Sequence, residues 1–381
     1  MFKHIARILL GLTFIFSGFV KGIDPWGSAY KFTDYFNAFH MPWITDLAFA
    51  LGILLAASEF AMGTALIFNF FLRITSWFTL TFMLFFTGLT FVLALTNPVT
   101  DCGCFGDALV ITNWQTFYKN IVLLALAIFI FIQRKNFTGK NGPILSIAFT
   151  GMTVVFYFYL VAYSYNHLPI IDFSPYKVGV NIPDAMKIPV GAPQAIYKNN
   201  FIYKNLKTGE EKEFTEANIP WKDTLNWKYF KSEDPIVVQK GYTPPIHDFR
   251  IETADGEDIK DFFLYDDKYT FVVIASNLQK TNRDAMAKVV SLAREARNRG
   301  YKFFLLTATS PVSFAAFKNE TAASFDFFNT DEIALKTIVR SNPGLIILKK
   351  GTILKKYHYN DIPKPEELDS ELDQQTTKPI E

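Results

Sequence analysis

Cys102 and Cys104 are the only cysteines in a chain of 381 residues, and a single glycine separates them. Two thiols this close can face each other and exchange electrons as dithiol and disulfide. Gly103 between them removes the side chain that would obstruct the tight backbone this needs. A disulfide between residues i and i+2 closes a very small ring, and ring strain raises its reduction potential, so such a pair tends to oxidise others. Asp101 and Asp107 flank the pair. Their charges are expected to disfavour thiolate and raise the thiol pKa unless they point away. Two other roles fit the same residues: a bridge that only pins the loop, and a soft-metal site for copper(I), with His40 or Met41 as added ligands. A two-residue staple removes little chain entropy, which weakens the first. His4, His40, His167, His247 and His358 are scattered without metal-ligand spacing.

Glu59 is the second candidate. It lies within an apolar run, where a carboxyl group is costly and has a partner or a role. It reads either as a proton relay coupled to the thiol step or as a neutral group bonded to Thr64, Ser17 or another helix. Lys21 and Arg7 read as interfacial anchors. The candidate catalytic set is therefore Cys102, Cys104 and Glu59. The sequence specifies no cofactor, but a loop at the membrane surface is placed to meet a membrane quinone on one side and a periplasmic thiol protein on the other.

These residues must be positioned by membrane helices. Half the chain is hydrophobic, 40 residues are Phe, and the apolar residues concentrate before position 166. Five runs have near the ~20 residues a helix needs to cross the hydrocarbon core: Ile5 to Val20, Ile44 to Phe68, Ile74 to Leu95, Trp114 to Ile132 and Pro143 to Tyr163. No small-x-small cleavage site follows Val20, so the first run reads as an uncleaved helix and not as a signal peptide. Lys3, Arg7, Arg73, Arg134, Lys135 and Lys140 fall on one side of these spans. By the positive-inside rule the N-terminus is cytoplasmic, and the cysteine loop and everything after Tyr163 lie outside. In a bacterium this is an inner-membrane protein with its soluble part in the periplasm, where disulfides persist. Net charge is only +2 with no basic cluster, which argues against nucleic acid.

The region 166–243 reads as a β-rich linker or cap. Proline at 169, 175, 183, 189 and 193 excludes a long helix, and Phe201 to Phe214 alternates around a Lys-Thr-Gly turn as a hairpin. Trp221, Trp227, Tyr229 and Phe230 are its expected core. From 244 to 362 the order is strand, helix, strand, helix, then a strand pair, which is α/β. The tail 363–381 is acidic, polar and expected to be disordered.

The α/β part resembles the thioredoxin-like fold. The matching residues are Asp248-Phe249, Asp255-Gly256, the strand Phe271 to Ala275, and Arg340 to Gly344 before the strand Leu345 to Leu348. The resemblance implies a cis-proline at Pro343. It departs at the helix start, where the family carries Cys-x-x-Cys and this chain reads Ser276-Asn-Leu-Gln-Lys280. That domain therefore has no thiol chemistry of its own. In the membrane half, Arg7, Gly11, Phe16-Ser17-Gly18, Lys21, Asp24-Pro25 and Glu59 resemble the DoxX family of four-helix membrane proteins. The Cys-Gly-Cys-Phe-Gly loop resembles its MauE branch. This resemblance spans residues 1–135 and implies a part in disulfide formation alongside a thioredoxin-like partner. The fifth helix (136–165) and the fused domain go beyond the family pattern, so the resemblance names no client. The expected architecture is a helical membrane bundle followed by a periplasmic α/β domain. The expected function is membrane-linked thiol-disulfide electron transfer. The alternative is a non-enzymatic scaffold or assembly factor whose redoxin-like domain binds protein.

Overall fold

The computed structural model describes residues 2–137, 142–216, 218–232, 236–239, 241–247 and 249–373. Lys140, Asp248 and the segment 374–381, which entered the readings above, lie outside the described residues. Among the described residues, five helical stretches are long and apolar enough to cross a membrane: α1 Phe2–Ile23, the stretch Pro42–Phe68 that ends in α3 Ala48–Phe68, α4 Leu72–Thr96, α5 Asn113–Gln133 and α6 Pro143–Asn166. Each matches one of the apolar runs. The chain is a multi-pass membrane protein, and its large exposed side chains on these helices (Leu54, Phe85, Leu95, Val155) face where lipid would lie.

Between α1 and α3, where no apolar run of membrane length falls, most of the chain is a helix, α2 Pro25–Ala38. Asp24 caps it, accepting from the Gly27 N–H at 2.9 Å, and Pro25 occupies the first turn, where a missing N–H costs nothing.

Helices α1 and α3 pack with backbones nearly touching. A Cβ on Gly18 would come within 2.7 Å of Ala56 O, and one on Gly63 within 2.6 Å of Ile15 N. Small residues at such a crossing let two membrane helices approach closely enough for polar side chains to meet. Here they bring Ser17 and Lys21 of α1 against Glu59 of α3. At the opposite end, Lys3 Nζ donates to Asn136 O at 2.8 Å, and Arg7 sits over the Phe137 ring. The positive residues of both segments thus share one end of the bundle.

The chain divides into two compact units, 1–180 with 249–381, and 181–248. The smaller unit holds α7 Ile182–Ala185, a pair β1 Ile196–Lys198 with β5 Ile236–Gln239, and a three-stranded antiparallel sheet in the order β3-β2-β4. In that sheet β2 is Asn200–Asn205, β3 is Glu211–Thr215 and β4 is Trp227–Ser232. The expected hairpin is β2–β3. The expected aromatic core is not there: Trp221, Tyr229 and Phe230 are exposed, and only Trp227 is half-buried, packed edge-on against Phe214.

In the larger unit, α8 Lys260–Leu264 precedes a five-stranded sheet in the order β10-β9-β6-β7-β8. Its strands are β6 Tyr269–Ile274, β7 Lys302–Thr307, β8 Asp326–Asn329, β9 Gly344–Lys349 and β10 Thr352–His358. Strands β6, β7 and β8 run parallel, and β9 runs antiparallel to its neighbours β6 and β10. The parallel crossovers are α9 Arg283–Asn298 and α10 Phe314–Thr321, and α11 Glu332–Ile338 leads to β9. The α9 stripe of Met286, Val289, Leu292, Ala293 and Ala296 is buried against Phe271, Val273 and Leu305 of the central strands. The Asn342–Pro343 bond at the entry to β9 is cis. This is a thioredoxin-like α/β arrangement. The expectation of disorder from residue 363 fails for Leu368–Asp373, which forms α12: Leu368 and Leu372 are buried in the same core as α9. Two leucines four residues apart share one helix face, and an acidic surround does not prevent their burial.

Candidate thiol site at the membrane surface

The cysteines lie between α4 and α5. Asn97 ends α4 in the left-handed conformation, and Asn113 at the start of α5 donates through Nδ2 to Asn97 Oδ1 at 2.9 Å and Val99 O at 2.8 Å. This closes the base of the loop. Gly103 has φ +62°, a conformation that L side chains rarely adopt. Asp101 Oδ1 accepts from the Gly103 N–H at 2.8 Å, and the Gly106 N–H donates to Gly103 O at 3.1 Å. The chain therefore doubles back at Gly103, and Cys102 Sγ and Cys104 Sγ lie 2.8 Å apart. Both are free thiols and half-buried.

Helices α1 and α2 hold the loop. Tyr35 of α2 donates through its hydroxyl to Cys102 O at 2.7 Å. Lys31 of α2 pairs with Asp101 at 2.7 Å. Ser17 Oγ of α1 lies 2.8 Å from Cys104 O and 2.9 Å from Glu59 Oε2, so its one proton is shared between them. Lys21 Nζ lies 2.8 Å from both Glu59 oxygens and 3.0 Å from Ser17 Oγ. The three sequence candidates thus form one constellation, with Ser17 as the link between Glu59 and the cysteine loop.

Lys21 is not an interfacial anchor but the buried counter-ion of Glu59, whose partners are Lys21 and Ser17; Thr64 bonds to its own helix instead. The i,i+4 spacing of Ser17 and Lys21 was a signal for one shared helix face. The flanking aspartates do not suppress thiolate, because each charge is engaged by a cation: Asp101 by Lys31 and Asp107 by Arg340. The Cys104 thiol is lowered to about 6, first by the hydrogen bond from Cys102, then, against the cost of burial, by Lys119 and Lys21. The Cys102 thiol is pushed up by the same bond and by burial. The pair is therefore asymmetric, with one sulfur suited to attack and the other to hold the proton.

Arg340 belongs to the segment that matches the thioredoxin-like fold, and nothing in the sequence marks its role as an ion-pair partner. It sits three residues before the cis-proline Pro343 and reaches across to the membrane module, where it binds Asp24 through Nε and Nη2 at 3.0 and 2.9 Å and Asp107 at 3.0 Å. The two carboxylates hold the guanidinium well above its ordinary pKa despite burial. Burial raises the Asp107 carboxyl more than Arg340 lowers it. A polar cavity of about 330 Å³ lies at this junction, lined by Lys21, Gly103, Asp107, Lys336 and Arg340. At the position of the family's Cys-x-x-Cys, Asn277 O accepts from Asn342 Nδ2 at 2.9 Å and Thr281 donates to Asn342 Oδ1 at 3.1 Å. Polar side chains occupy the place of thiols. Among the described residues no cluster of three or more metal-ligating side chains occurs.

Fold and site define a multi-pass membrane protein that carries a thioredoxin-like domain. Residues 1–133 match the family model for methylamine utilisation protein MauE, and residues 197–240 match a domain of unknown function, DUF8463. Over 200 residues the chain is 26% identical to Protein TlpB of Flavobacterium psychrophilum, covering 50% of this chain and 52% of that protein. The chain thus spans about half the length of the curated relative it matches. A solution structure from Bacteroides thetaiotaomicron, described as a candidate protein disulfide isomerase, aligns with 16% identity and a TM-score of 0.26 over 34% of this chain and 84% of that one. That likeness is too slight to bear on fold or activity.

Proposed function

We propose that the protein carries out thiol-disulfide exchange at the membrane surface, with Cys102 and Cys104 as the exchanging pair. The observation that carries this is the 2.8 Å approach of the two sulfurs in a loop whose backbone is held from α1 and α2. The lowered Cys104 thiol supports it, because only the thiolate attacks a disulfide. The match of residues 1–133 to the MauE model supports the same reading. In this reading the helical module is a DoxX-type four-helix unit with a fifth helix added. Glu59 keeps Lys21 beside Cys104 and fixes Ser17, and so acts as a positioning residue for the thiolate.

In the proposed orientation the N-terminus is cytoplasmic, in the inner membrane of a bacterium, and the cysteine loop and α/β domain are periplasmic. The end that carries Lys3, Arg7 and Arg134 supports it. A membrane-impermeant maleimide should then label Cys102 or Cys104 in reduced whole cells.

The thioredoxin-like domain, without cysteines of its own, serves as a docking surface for a client thiol protein. The test replaces each cysteine by serine and compares the thiol state of exported proteins with wild type. Accumulation of reduced thiols in both variants is expected. An unchanged profile at equal protein level would leave only the scaffold reading.

A further inference from the structure

A second cavity, of about 640 Å³, lies on the membrane side of the cysteine loop. Its volume falls within the ~300–1,000 Å³ usual for small-molecule sites. Its walls are apolar and largely aromatic, including Phe32 and Phe36 of α2, Leu55 of α3, Phe82 and Phe86 of α4 and Leu123 of α5. One end is different in kind: there the lining is Cys102, Gly103, Cys104, Lys21, Glu59 and Lys119. Leu54 and Phe85 line the cavity and are themselves 58% and 64% exposed on the outer surface of α3 and α4. The mouth therefore opens sideways, toward hydrocarbon.

The occupant must enter from the bilayer, present an apolar length to the Phe and Leu walls, and place a head beside a dithiol and two ammonium groups. An acyl chain satisfies the walls and leaves the dithiol end without purpose. We infer that the cavity binds an isoprenoid quinone, with its ring at the Cys102–Cys104 end and its tail toward Leu54 and Phe85. The inference rests on the exchange reading above and names its membrane-side electron acceptor. The step balances. Cys102 and Cys104 lose two S–H bonds and form one S–S bond; two electrons and two protons pass to the two ring oxygens, which become the hydroxyls of the quinol. A client dithiol reduces the bridge again and becomes a disulfide. Lys119 and Lys21 suit a ring oxygen that gains negative charge before its proton arrives.

This cavity and the polar one beneath the soluble domain share Lys21, Ser28, Lys31 and Gly103. Of the cysteine loop only Gly103 lines both; Cys102 and Cys104 line the lipid-facing cavity and not the other.

The full-length protein in phosphatidylcholine nanodiscs, reduced and freed of reductant, is mixed with menaquinone-4 or decylubiquinone. Both have fully substituted rings that do not add thiols. Quinol formation is followed by absorbance and the Cys102–Cys104 bridge by mass spectrometry. One quinol per bridge is expected, with the rate at least tenfold lower in Leu54→Trp, whose indole blocks the mouth, and unchanged in Leu95→Trp, a lipid-facing position outside the cavity. Phe85→Trp replaces Leu54→Trp should the latter fail to fold. If glutathione disulfide oxidises the reduced pair and neither quinone does, the quinone site is overturned and thiol exchange stands. If neither oxidant acts, both readings fall. Equal quinone reduction in a folded Leu54→Trp protein overturns the cavity as the site.

Discussion

Arg340 Nη2 lies 3.0 Å from Asp107 Oδ2, which joins the soluble domain to the segment that follows the cysteines. The same guanidinium grips Asp24, the cap of α2, and α2 supplies Tyr35 and Lys31 to the cysteine loop. One buried arginine thus connects the loop before the cis-proline to both segments that position Cys102. Removing one partner of a buried ion pair leaves the other charge uncompensated, at a cost of ~3–5 kcal/mol. Arg340→Leu should therefore free the α/β domain from the bundle, seen as a large rise in amide exchange in α2 and residues 101–108. Arg340→Lys should recover only part of the protection, because it loses the fork geometry. Unchanged exchange would show that the ion pairs do not hold the two parts together.

The asymmetry of the two thiols has a pH signature. Cys104 is lowered to about 6, so its thiolate is present above that pH and lost as pH falls through it. Cys102 is raised, so it stays protonated at neutral pH. Site-resolved alkylation of the reduced protein should show Cys104 reacting with a midpoint near pH 6 and Cys102 only well into the alkaline range. Equal midpoints for the two would remove the proposed attacker.

Glu59 and Lys21 form a buried pair linked to the loop through Ser17. Glu59→Gln leaves Lys21 without a counter-ion, and Lys21→Met does the same to Glu59; each should destabilise by ~3–5 kcal/mol. The double substitution should cost less than the sum of the two, by a coupling of ~1–3 kcal/mol. The alkylation midpoint of Cys104 should rise in Lys21→Met, since that variant removes a nearby positive charge. An unmoved midpoint would mean that Lys21 supports only the packing.

The crossing of α1 and α3 can be wedged. A Cβ on Gly63 would fall 2.6 Å from Ile15 N and 2.7 Å from Gly11 O, both backbone atoms that cannot turn aside. Gly63→Val should push the helices apart and lower stability by ~1–3 kcal/mol or more. It should also slow exchange at Cys104, because Ser17 moves away from its carbonyl. Gly88, with open space around it, should tolerate alanine.

The five spans were legible because each is a run of near membrane length with few charges, and length alone separates such runs from ordinary helices. The α2 helix is hard to read from sequence although Asp24-Pro25 is a helix start, since a short polar segment between two spans resembles any loop. Strand β8, Asp326–Asn329, has only four residues and a polar residue at each end, so alternation gave no sign of it. Lys21 was misassigned because its partner lies 38 residues away on another helix, and only the glycine-mediated crossing sets the two side chains face to face. Arg340 and Asp24 are 316 residues apart, a pairing that no local pattern encodes. The exposed Trp221, Tyr229 and Phe230 show the reverse error, in which aromatic content was taken for a core that so small a sheet does not enclose.

Thiol-disulfide exchange requires that Cys102 and Cys104 cycle between dithiol and bridge. The most direct measurement is acid trapping of growing cells, followed by mass-resolved labelling of this protein before, during and after a brief pulse of dithiothreitol. A bridged pair is expected at steady state, dithiol during the pulse, and return to the bridge after the reductant is removed. A pair that stays as dithiol throughout, or stays bridged through a pulse that reduces other exported proteins, would contradict it.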